Sequence, residues 1–173
     1  MSKYPIMYGS TKYPSLTSIK LERADVIFCK GTSPIDKLIG MTQYWTHMSI
    51  YVGNGKMVQA DPYLGVVLSE VSSWDFPEKL DVAVCRVSGI NEKVKDNIIH
   101  FVKKQIGKRY NNEAFVHAFD IPWYPVHTDI DSESWYCSEL IWAAYRSQGI
   151  EINLCKPNSV ICPQELFDSM KQL

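Results

Sequence analysis

One cysteine and one distant histidine in this chain stand in sequence contexts that suit nucleophilic catalysis. Cys137 lies in the segment WYCSELIW, where the apolar spacing predicts an amphipathic helix with the cysteine in its first turn. The unpaired N–H groups and the positive dipole end of a helix favour the thiolate, which is the reactive form of cysteine. His47 begins the segment HMSIYVG, whose alternation predicts a strand with the histidine on its more polar face. The pair predicts a thiol nucleophile with an imidazole acid–base partner.

A third group must fix the imidazole, and the hairpin after His47 decides which residue can do so. A shift of one residue in strand pairing turns every side chain to the opposite face. A two-residue loop at 54–55 turns Gln59 away from the histidine. A three-residue loop at 53–55, ending in a left-handed glycine bulge, places both Gln59 and Asp61 on the histidine's face. Only the longer loop is compatible with a trio, in which either residue can accept the second ring N–H.

The same residues have structural interpretations. Cys137 shares the core-facing stripe of its helix, and free cysteine is commonly buried. A lone histidine on a strand is also more often structural than catalytic, and the histidines at 100, 117 and 127 are interpreted as surface or structural residues. Zinc binding by Cys137, Cys155, Cys162 and His47 is a weaker alternative, because no ligand pair has the short spacing of usual zinc sites. We therefore predict no metal and no cofactor.

Bulk composition narrows the class of protein. The 173 residues are 46% hydrophobic, which suits one full-sized core, and the formal net charge of -1 argues against a nucleic-acid partner. Five cysteines without a C-x-x-C pair, and an N-terminus without an apolar signal core, predict a reducing, cytoplasmic location. No apolar run approaches the ~20 residues that span a bilayer, so we expect no transmembrane segment. The oligomeric state stays open.

Periodicity and turn residues predict strands in the first half of the chain and helices in the second, which is an α+β arrangement. Residues 1–21 are expected to form an extended N-terminal arm, and residues 22–173 a single domain. The predicted elements are strands at 26–29, 46–52, 56–61, 65–71 and 80–87 in a meander-like sheet, and helices at 35–41, 91–105, 134–148 and 163–170. Asn91 and Ser134 are the expected N-caps of two of these helices.

Several segments resemble one known family. The run HMSIYVGNGKMVQ at 47–59, followed much later by YCSEL at 136–140, is similar to the circularly permuted branch of the NlpC-type papain-like peptidases. That branch includes YiiX-like proteins and the lecithin:retinol acyltransferase group. Further similar pieces are ADVIF at 24–28, IGKRYN at 106–111 and PQEL at 163–166. The histidine precedes the cysteine, as permutation implies, and the implied fold is a papain-like antiparallel sheet packed against helices.

The resemblance also implies roles for individual residues. It makes Cys137 the nucleophile, His47 the general base and acid, and Gln59 the polar third member, in place of the acidic or histidine residue common in relatives. The backbone N–H of Cys137 would be one donor to the oxyanion. Ser138 matches the serine of the family's Asp-Cys-Ser motif and Tyr136 replaces its aspartate, so these two residues are predicted to contact substrate.

The predicted activity is that of a cysteine peptidase or amidase, a thiol hydrolase that cleaves an amide through an acyl-enzyme. The expected substrate is a small peptide or an amino-acid conjugate. Two alternatives remain: a lipid acyl hydrolase or acyltransferase acting at the same site on a lipid-like substrate, and a papain-like binding module with weak catalysis. A panel of γ-linked peptides and acyl esters separates the first alternative from amidase action, and titration of the thiol separates the second.

Overall fold

The computed structural model describes residues 6–8, 16–31, 34–41, 43–74, 81–112, 132–154 and 161–171. The strands are β1 (Ile6–Tyr8), β2 (Val26–Cys29), β3 (His47–Gly53), β4 (Lys56–Asp61), β5 (Gly65–Glu70), β6 (Val82–Cys85), β7 (Arg109–Tyr110) and β8 (Ser134–Trp135). The α-helices are α1 (Pro34–Ile39), α2 (Glu92–Lys104), α3 (Cys137–Arg146) and α4 (Pro163–Met170), and short 3-10 turns lie at Leu16–Ser18 and Val71–Trp74. The predicted α+β class is confirmed.

Six described strands form one antiparallel sheet in the order β1-β6-β2-β3-β4-β5. The predicted meander is correct for β2 to β5, but β6 returns beside β2 instead of extending the sheet from β5. The physical reason is that all four residues of β2 are buried, so this strand needs neighbours on both edges. The arm contributes β1, which pairs with β6. The division of the chain into an arm and a single domain stays a prediction.

Both faces of the sheet are covered. One face packs against the helices in a core that includes Phe28, Met48, Ile141 and Leu166, all fully buried. The other face packs against the two 3-10 turns in a smaller cluster that includes Ile27, Met57 and Trp74. The sheet therefore stands between two apolar layers, and polar groups inside them need specific partners.

Two predicted N-caps have different outcomes. Asn91 caps α2 as expected, since its side chain accepts the N–H of Val94 at 3.0 Å. Ser134 is not a cap, because it lies in β8, which pairs in parallel with β7, and α3 begins at Cys137 with Tyr136 as its N-cap. Trp135 explains the delay: it is fully buried, and its indole N–H donates to the Gln105 side chain at 3.1 Å. None of the four helices that the structure describes has the length and apolar character to cross a membrane.

The β3–β4 hairpin combines the two loops considered from the sequence. Its tip is a two-residue turn, in which Asn54 and Gly55 have φ values of 53° and 71°, as in a type I′ turn. A bulge between Tyr51 and Gly53 then shifts the register, so that Tyr51 pairs with Met57 and Ile50 with Val58. From Tyr51 onward this is the register predicted for the longer loop.

The start of β2 is held by a buried ion pair. Asp25 is fully buried, and its carboxylate accepts two bonds from the Arg86 guanidinium, at 2.7 and 2.8 Å. The same carboxylate accepts the backbone N–H of Glu22 at 2.7 Å, and the Glu22 side chain in turn contacts Arg86. The buried charge is therefore neutralised and hydrogen-bonded, which is the condition for its burial.

Candidate active site

Cys137 is the first residue of α3 and is only 5% exposed. As the first helical residue its backbone N–H has no acceptor within the helix, and the positive end of the helix dipole lies at its side chain. The first bond of the helix runs from the Leu140 N–H to the Tyr136 carbonyl, at 3.1 Å. This start, three residues later than the sequence pattern indicated, still leaves the thiol where a thiolate is favoured.

His47 begins β3, where it pairs with Cys29 of β2. Its imidazole is hydrogen-bonded to the Gln59 side chain, and Cys137 lies near enough to raise its pKa. The ring atom Nε2 lies 2.7 Å from Oε1 of Gln59, which leaves Nδ1 for the sulfur. Because an amide oxygen can only accept, Nε2 carries a proton, and in the neutral ring Nδ1 is the basic nitrogen. The structure therefore brings the three sequence-predicted residues together.

Gln59 is itself held in place. Its amide Nε2 donates to the Ser69 hydroxyl at 3.0 Å, so its Oε1 is turned to the histidine. The row from His47 through Gln59 to Ser69 runs across β3, β4 and β5 on one face of the sheet. In such a sheet, diagonal neighbours on adjacent strands are within reach of longer side chains. Ser69 was not singled out from the sequence, because its relevance depends on the pairing of β4 with β5.

Burial and hydrogen bonding act in opposite directions on His47. Burial lowers the pKa of its imidazole, but the hydrogen bond and the negative charge of Cys137, then the hydrogen bond to Gln59 and the charge of Asp36, raise it to about 9. The raised pKa favours the protonated form of the ring beside the sulfur. An imidazolium next to a thiolate is the form that attacks a carbonyl and then protonates a leaving group.

Trp74 covers the imidazole from the 3-10 turn that follows β5. The ring centroids of His47 and Trp74 are 5.6 Å apart, and the planes are inclined at 52°. Trp74 is 9% exposed, so it shields this side of the histidine from water. No sequence signal identified it, since a tryptophan in an irregular segment carries no periodicity.

Asp61, the reserve candidate for orienting the histidine, is engaged elsewhere. Its carboxylate accepts the backbone N–H groups of Tyr63 and Leu64 at 2.8 and 3.0 Å, which closes the β4–β5 turn. The side chain that contacts His47 is that of Gln59.

Tyr136 and Ser138, the predicted substrate-binding residues, both bind the backbone of Ile161. The Ile161 N–H donates to the Tyr136 hydroxyl at 3.3 Å, and the Ser138 hydroxyl donates to the Ile161 carbonyl at 2.6 Å. The two side chains are 5% and 1% exposed. In the structure they anchor the turn of the nucleophile, and their contact with substrate stays a prediction.

Two further residues have shifted pKa values, Tyr110 in β7 and Glu139 in the first turn of α3. Burial raises the pKa of the Tyr110 phenol, and the charge of Cys137 raises it further, so Tyr110 stays protonated. Burial also raises the pKa of Glu139 to about 7, although its carboxyl accepts the Tyr136 N–H at 3.4 Å and bonds to the Asn111 side chain. Tyr110 stands in the GKRY segment that was noted only as a family resemblance.

The closing helix α4 supports the segment that leads into β3. The Gln164 side chain accepts the backbone N–H groups of Tyr44 and Trp45, each at 3.2 Å. The Tyr44 hydroxyl bonds to Asp81. The segment around Tyr44 thus positions His47 through the backbone.

The zinc alternative falls only partly within the described residues. Cys137 and Cys162 form no disulfide, while Cys155 and the histidines at 117 and 127 lie outside the described residues. No group of three or more His, Cys, Asp or Glu side chains suited to a metal ion occurs in the described ranges.

Comparisons with known proteins identify the family of this chain and its fold. A family model described as "Permuted papain-like amidase enzyme, YaeF/YiiX, C92 family" matches residues 20–161. A solved structure, "Crystal structure of metalloprotein yiiX from Escherichia coli O157:H7", superimposes with a TM-score of 0.63 at 19% sequence identity. The match covers 87% of this chain and 93% of that one, and confirms the papain-like fold. No curated protein matches significantly.

The matched residues contain β2 to β8, helix α3, and the three residues His47, Gln59 and Cys137. The chain belongs to the YaeF/YiiX family of permuted papain-like amidases.

Proposed function

We propose that this protein is a thiol-dependent amide hydrolase in which Cys137 is the nucleophile, His47 the general base and acid, and Gln59 the group that orients His47. The observation that carries this proposal is the His47 imidazole held by Gln59 at 2.7 Å and interacting with Cys137 at the start of α3. A buried thiol at a helix N-terminus beside an imidazole with raised pKa is the environment of a reactive cysteine.

In the proposed reaction the Cys137 sulfur attacks the carbonyl carbon of the amide. The His47 imidazolium gives its proton from Nδ1 to the leaving nitrogen, the C–N bond breaks, and an amine departs from a thioester. Water then attacks the thioester and gives its proton to the imidazole. The products are a carboxylic acid and the regenerated thiolate–imidazolium pair.

The negative oxygen formed at each attack needs hydrogen-bond donors. The backbone N–H of Cys137 is one proposed donor. The phenol of Tyr110 is the candidate for the second, because the charge of Cys137 acts on it and its raised pKa keeps the hydroxyl proton in place.

The structurally similar YiiX protein is described as a metalloprotein. The described residues of this chain do not fit a metal centre, because the His47 ring is bonded to Gln59 and no three ligand-type side chains converge in the described ranges. The proposed chemistry is that of the thiol.

Small peptides and amino-acid conjugates are the proposed substrates, and a reducing, cytoplasmic compartment is the proposed location. Cys29, Cys85, Cys137 and Cys162 form no disulfide, which suits such a compartment. A panel of γ-linked peptides and acyl esters, assayed with the same enzyme preparation, decides between amidase action and lipid acyl transfer.

Labelling with iodoacetamide followed by peptide mapping tests the proposal. We expect Cys137 to be alkylated well ahead of Cys29 and Cys85, whose pKa values burial raises. His47→Ala should slow the alkylation of Cys137, while His100→Ala, a substitution outside the site, serves as the control. Equal labelling of all thiols, or labelling of Cys137 that His47→Ala leaves unchanged, would contradict the proposal.

A further inference from the structure

A carboxylate next to the trio has no role in the reaction proposed for Cys137 and His47. Asp36 lies in α1, and its Oδ1 accepts the hydroxyl of Thr46 at 3.0 Å. The Thr46 oxygen in turn accepts the backbone N–H of Gly31 at 2.8 Å. Thr46 is 2% exposed and directly precedes His47 in the chain. The carboxylate is therefore bonded to the residue that leads into the histidine.

The backbone at Gly31 is shaped around this carboxylate. A Cβ added at Gly31 would stand 2.2 Å from both Cγ and Oδ2 of Asp36, so the carboxylate occupies the space of the missing side chain. Gly31 follows the end of β2, where Cys29 pairs with His47, and the Thr46 N–H donates to the Cys29 carbonyl at 3.1 Å. These contacts place Asp36 at the strand ends that carry the histidine.

The electrostatic neighbours of Asp36 agree with this placement. Burial raises the pKa values of Cys29 and Tyr110, and the charges of Asp36 and Cys137 raise both further. The charge of Asp36 also contributes to the raised pKa of His47. Three groups around the sulfur thus interact with the same carboxylate.

Other charged groups near this point are few in the part of the chain that the structure describes. Lys37 on α1 and Lys30 after β2 are exposed to solvent, and Lys30 lies over the Tyr44 ring, 4.8 Å from its centroid. Asp61 acts on Tyr110 but is not among the groups that shift the pKa of His47. Gln59, the direct partner of the histidine, is neutral.

We propose that Asp36 is a positioning residue that adds a second negative charge, beside that of Cys137, for the His47 imidazolium, a contribution that the neutral Gln59 cannot make. In this proposal the Gln59 amide orients the ring, and the Asp36 carboxylate of α1 stabilises its positive charge. This inference rests on the proposed function, because it assigns Asp36 a part in the same thiolate–imidazolium pair.

The test is the titration of His47 by NMR in Cys137→Ser protein with and without Asp36→Asn. The asparagine keeps an oxygen that can accept the Thr46 hydroxyl, but it removes the charge. We expect Asp36→Asn to lower the pKa of His47 by roughly 0.5 to 1 unit, below the range for a carboxylate in direct contact. The His47 signal is assigned by its loss in His47→Gln protein.

Asp61→Asn is the matched control, because it removes a nearby carboxylate while its amide can still close the β4–β5 turn. We expect it to leave the His47 titration unchanged. If Asp36→Asn does not fold, Thr46→Val keeps the charge, removes its hydrogen bond, and should lower the pKa of His47 in the same direction by less. A His47 titration unaffected by the folded Asp36 or Thr46 variant would overturn the inference.

Failure of the inference and failure of the proposed function are distinguishable. The titration uses protein without the thiol and needs no turnover, so it reports on Asp36 even if no substrate is cleaved. In protein with Cys137 intact, Asp36→Asn should also reduce the acylation rate by on the order of 3- to 10-fold at pH 8. An unreactive Cys137 in the unmodified protein would refute the function and leave the titration result intact.

Discussion

Two buried carboxyl groups in this protein have opposite environments, one with a cation partner and one without a cation among the described residues. Asp25, at the start of β2, is fully buried and accepts a two-bonded Arg86 guanidinium. Glu139, in the first turn of α3, is 1% exposed, and within the described ranges its partners are the Tyr136 N–H and the Asn111 side chain, with no cation. The first charge is neutralised, whereas burial of the second raises the pKa of its carboxyl to about 7.

The difference shows that the Asp25 carboxylate stabilises the sheet, whereas the Glu139 carboxyl costs stability when it is ionised. The Asp25–Arg86 pair joins β2 to the segment after β6, and removing one partner would leave a buried charge unpaired. Glu139 stands in the first turn of α3, where burial without a cation in the described ranges disfavours the ionised carboxyl. This turn therefore holds a carboxyl whose pKa is raised to about 7.

The largest effect is expected from removal of the carboxylate that is paired with Arg86. Asp25→Asn should lower the free energy of unfolding by about 2–4 kcal/mol, somewhat less than for a fully buried pair because Arg86 is partly exposed. Urea denaturation measures this change. The alkylation rate of Cys137 in the folded protein should stay the same, because the pair lies at the opposite end of β2 from His47.

Glu22→Gln is the matched control for Asp25→Asn. It removes the more exposed partner of Arg86, and we expect a change below ~1 kcal/mol. A loss of similar size in both variants would show that the buried carboxylate has no special role.

The second prediction concerns the end of the sheet that carries His47 and Gln59. Gln59→Ala removes the acceptor that orients His47, and we expect turnover to fall roughly 10- to 100-fold, which equals about 1.4–2.7 kcal/mol of barrier. Stability should fall by about 1–2 kcal/mol, because the buried partner groups are left unpaired. Steady-state kinetics and urea denaturation measure the two effects.

Ser69→Ala is the graded companion of Gln59→Ala, since it removes the partner of the Gln59 amide and leaves the contact with His47 in place. We expect a loss of turnover of about 3-fold. Equal activity in wild-type and Gln59→Ala protein would show that the orienting group is not needed.

The smallest effect is expected from substitution of Glu139, the carboxyl of the comparison without a cation partner in the described ranges. Its folded pKa, about 7, lies above its ordinary value of 4.5, so its contribution to stability is present at low pH and is lost as the pH rises from about 4.5 through about 7. Glu139→Gln removes this dependence, and we expect it to be more stable than wild type by about 1 kcal/mol at pH 8. Thermal unfolding at pH 5 and pH 8 measures the difference. A variant less stable than wild type at both pH values would contradict this expectation.

Much of the fold could be predicted from local patterns. Strand β2, helix α4 and the Asn91 cap follow from periodicity and cap chemistry within a few residues of sequence. The pairing of β1 with β6 and the parallel pair β7–β8 could not, because both join segments that are distant in the chain and too short to show a period. The Ser134 prediction failed for a related reason: the burial of Trp135 outweighs a local cap preference.

Some residues of the candidate site could likewise be predicted from the sequence, and others could not. The turn residues left two hairpin registers open, and the bulge between Tyr51 and Gly53 decides between them. The trio could be selected from residue type, order and the family resemblance. Trp74, Ser69 and Asp36 could not, because their relation to His47 depends on three-dimensional contacts from other elements. Tyr110 was noticed as part of a resemblance, but its interaction with the charge of Cys137 is visible only in the structure.

The extra residue at Gly53 gives the hairpin tip an influence out of proportion to its distance from the sulfur. Loss of a single amino acid there would rotate the distal strand by half a period, present Val58 or Ala60 to the imidazole, and send Gln59 toward the helices. Homologues that shorten this tip by one position should therefore have exchanged the identity of the orienting group, or have abandoned the reaction. Loop length, ordinarily the most freely varied property of a surface turn, becomes in this protein a heritable part of its chemistry.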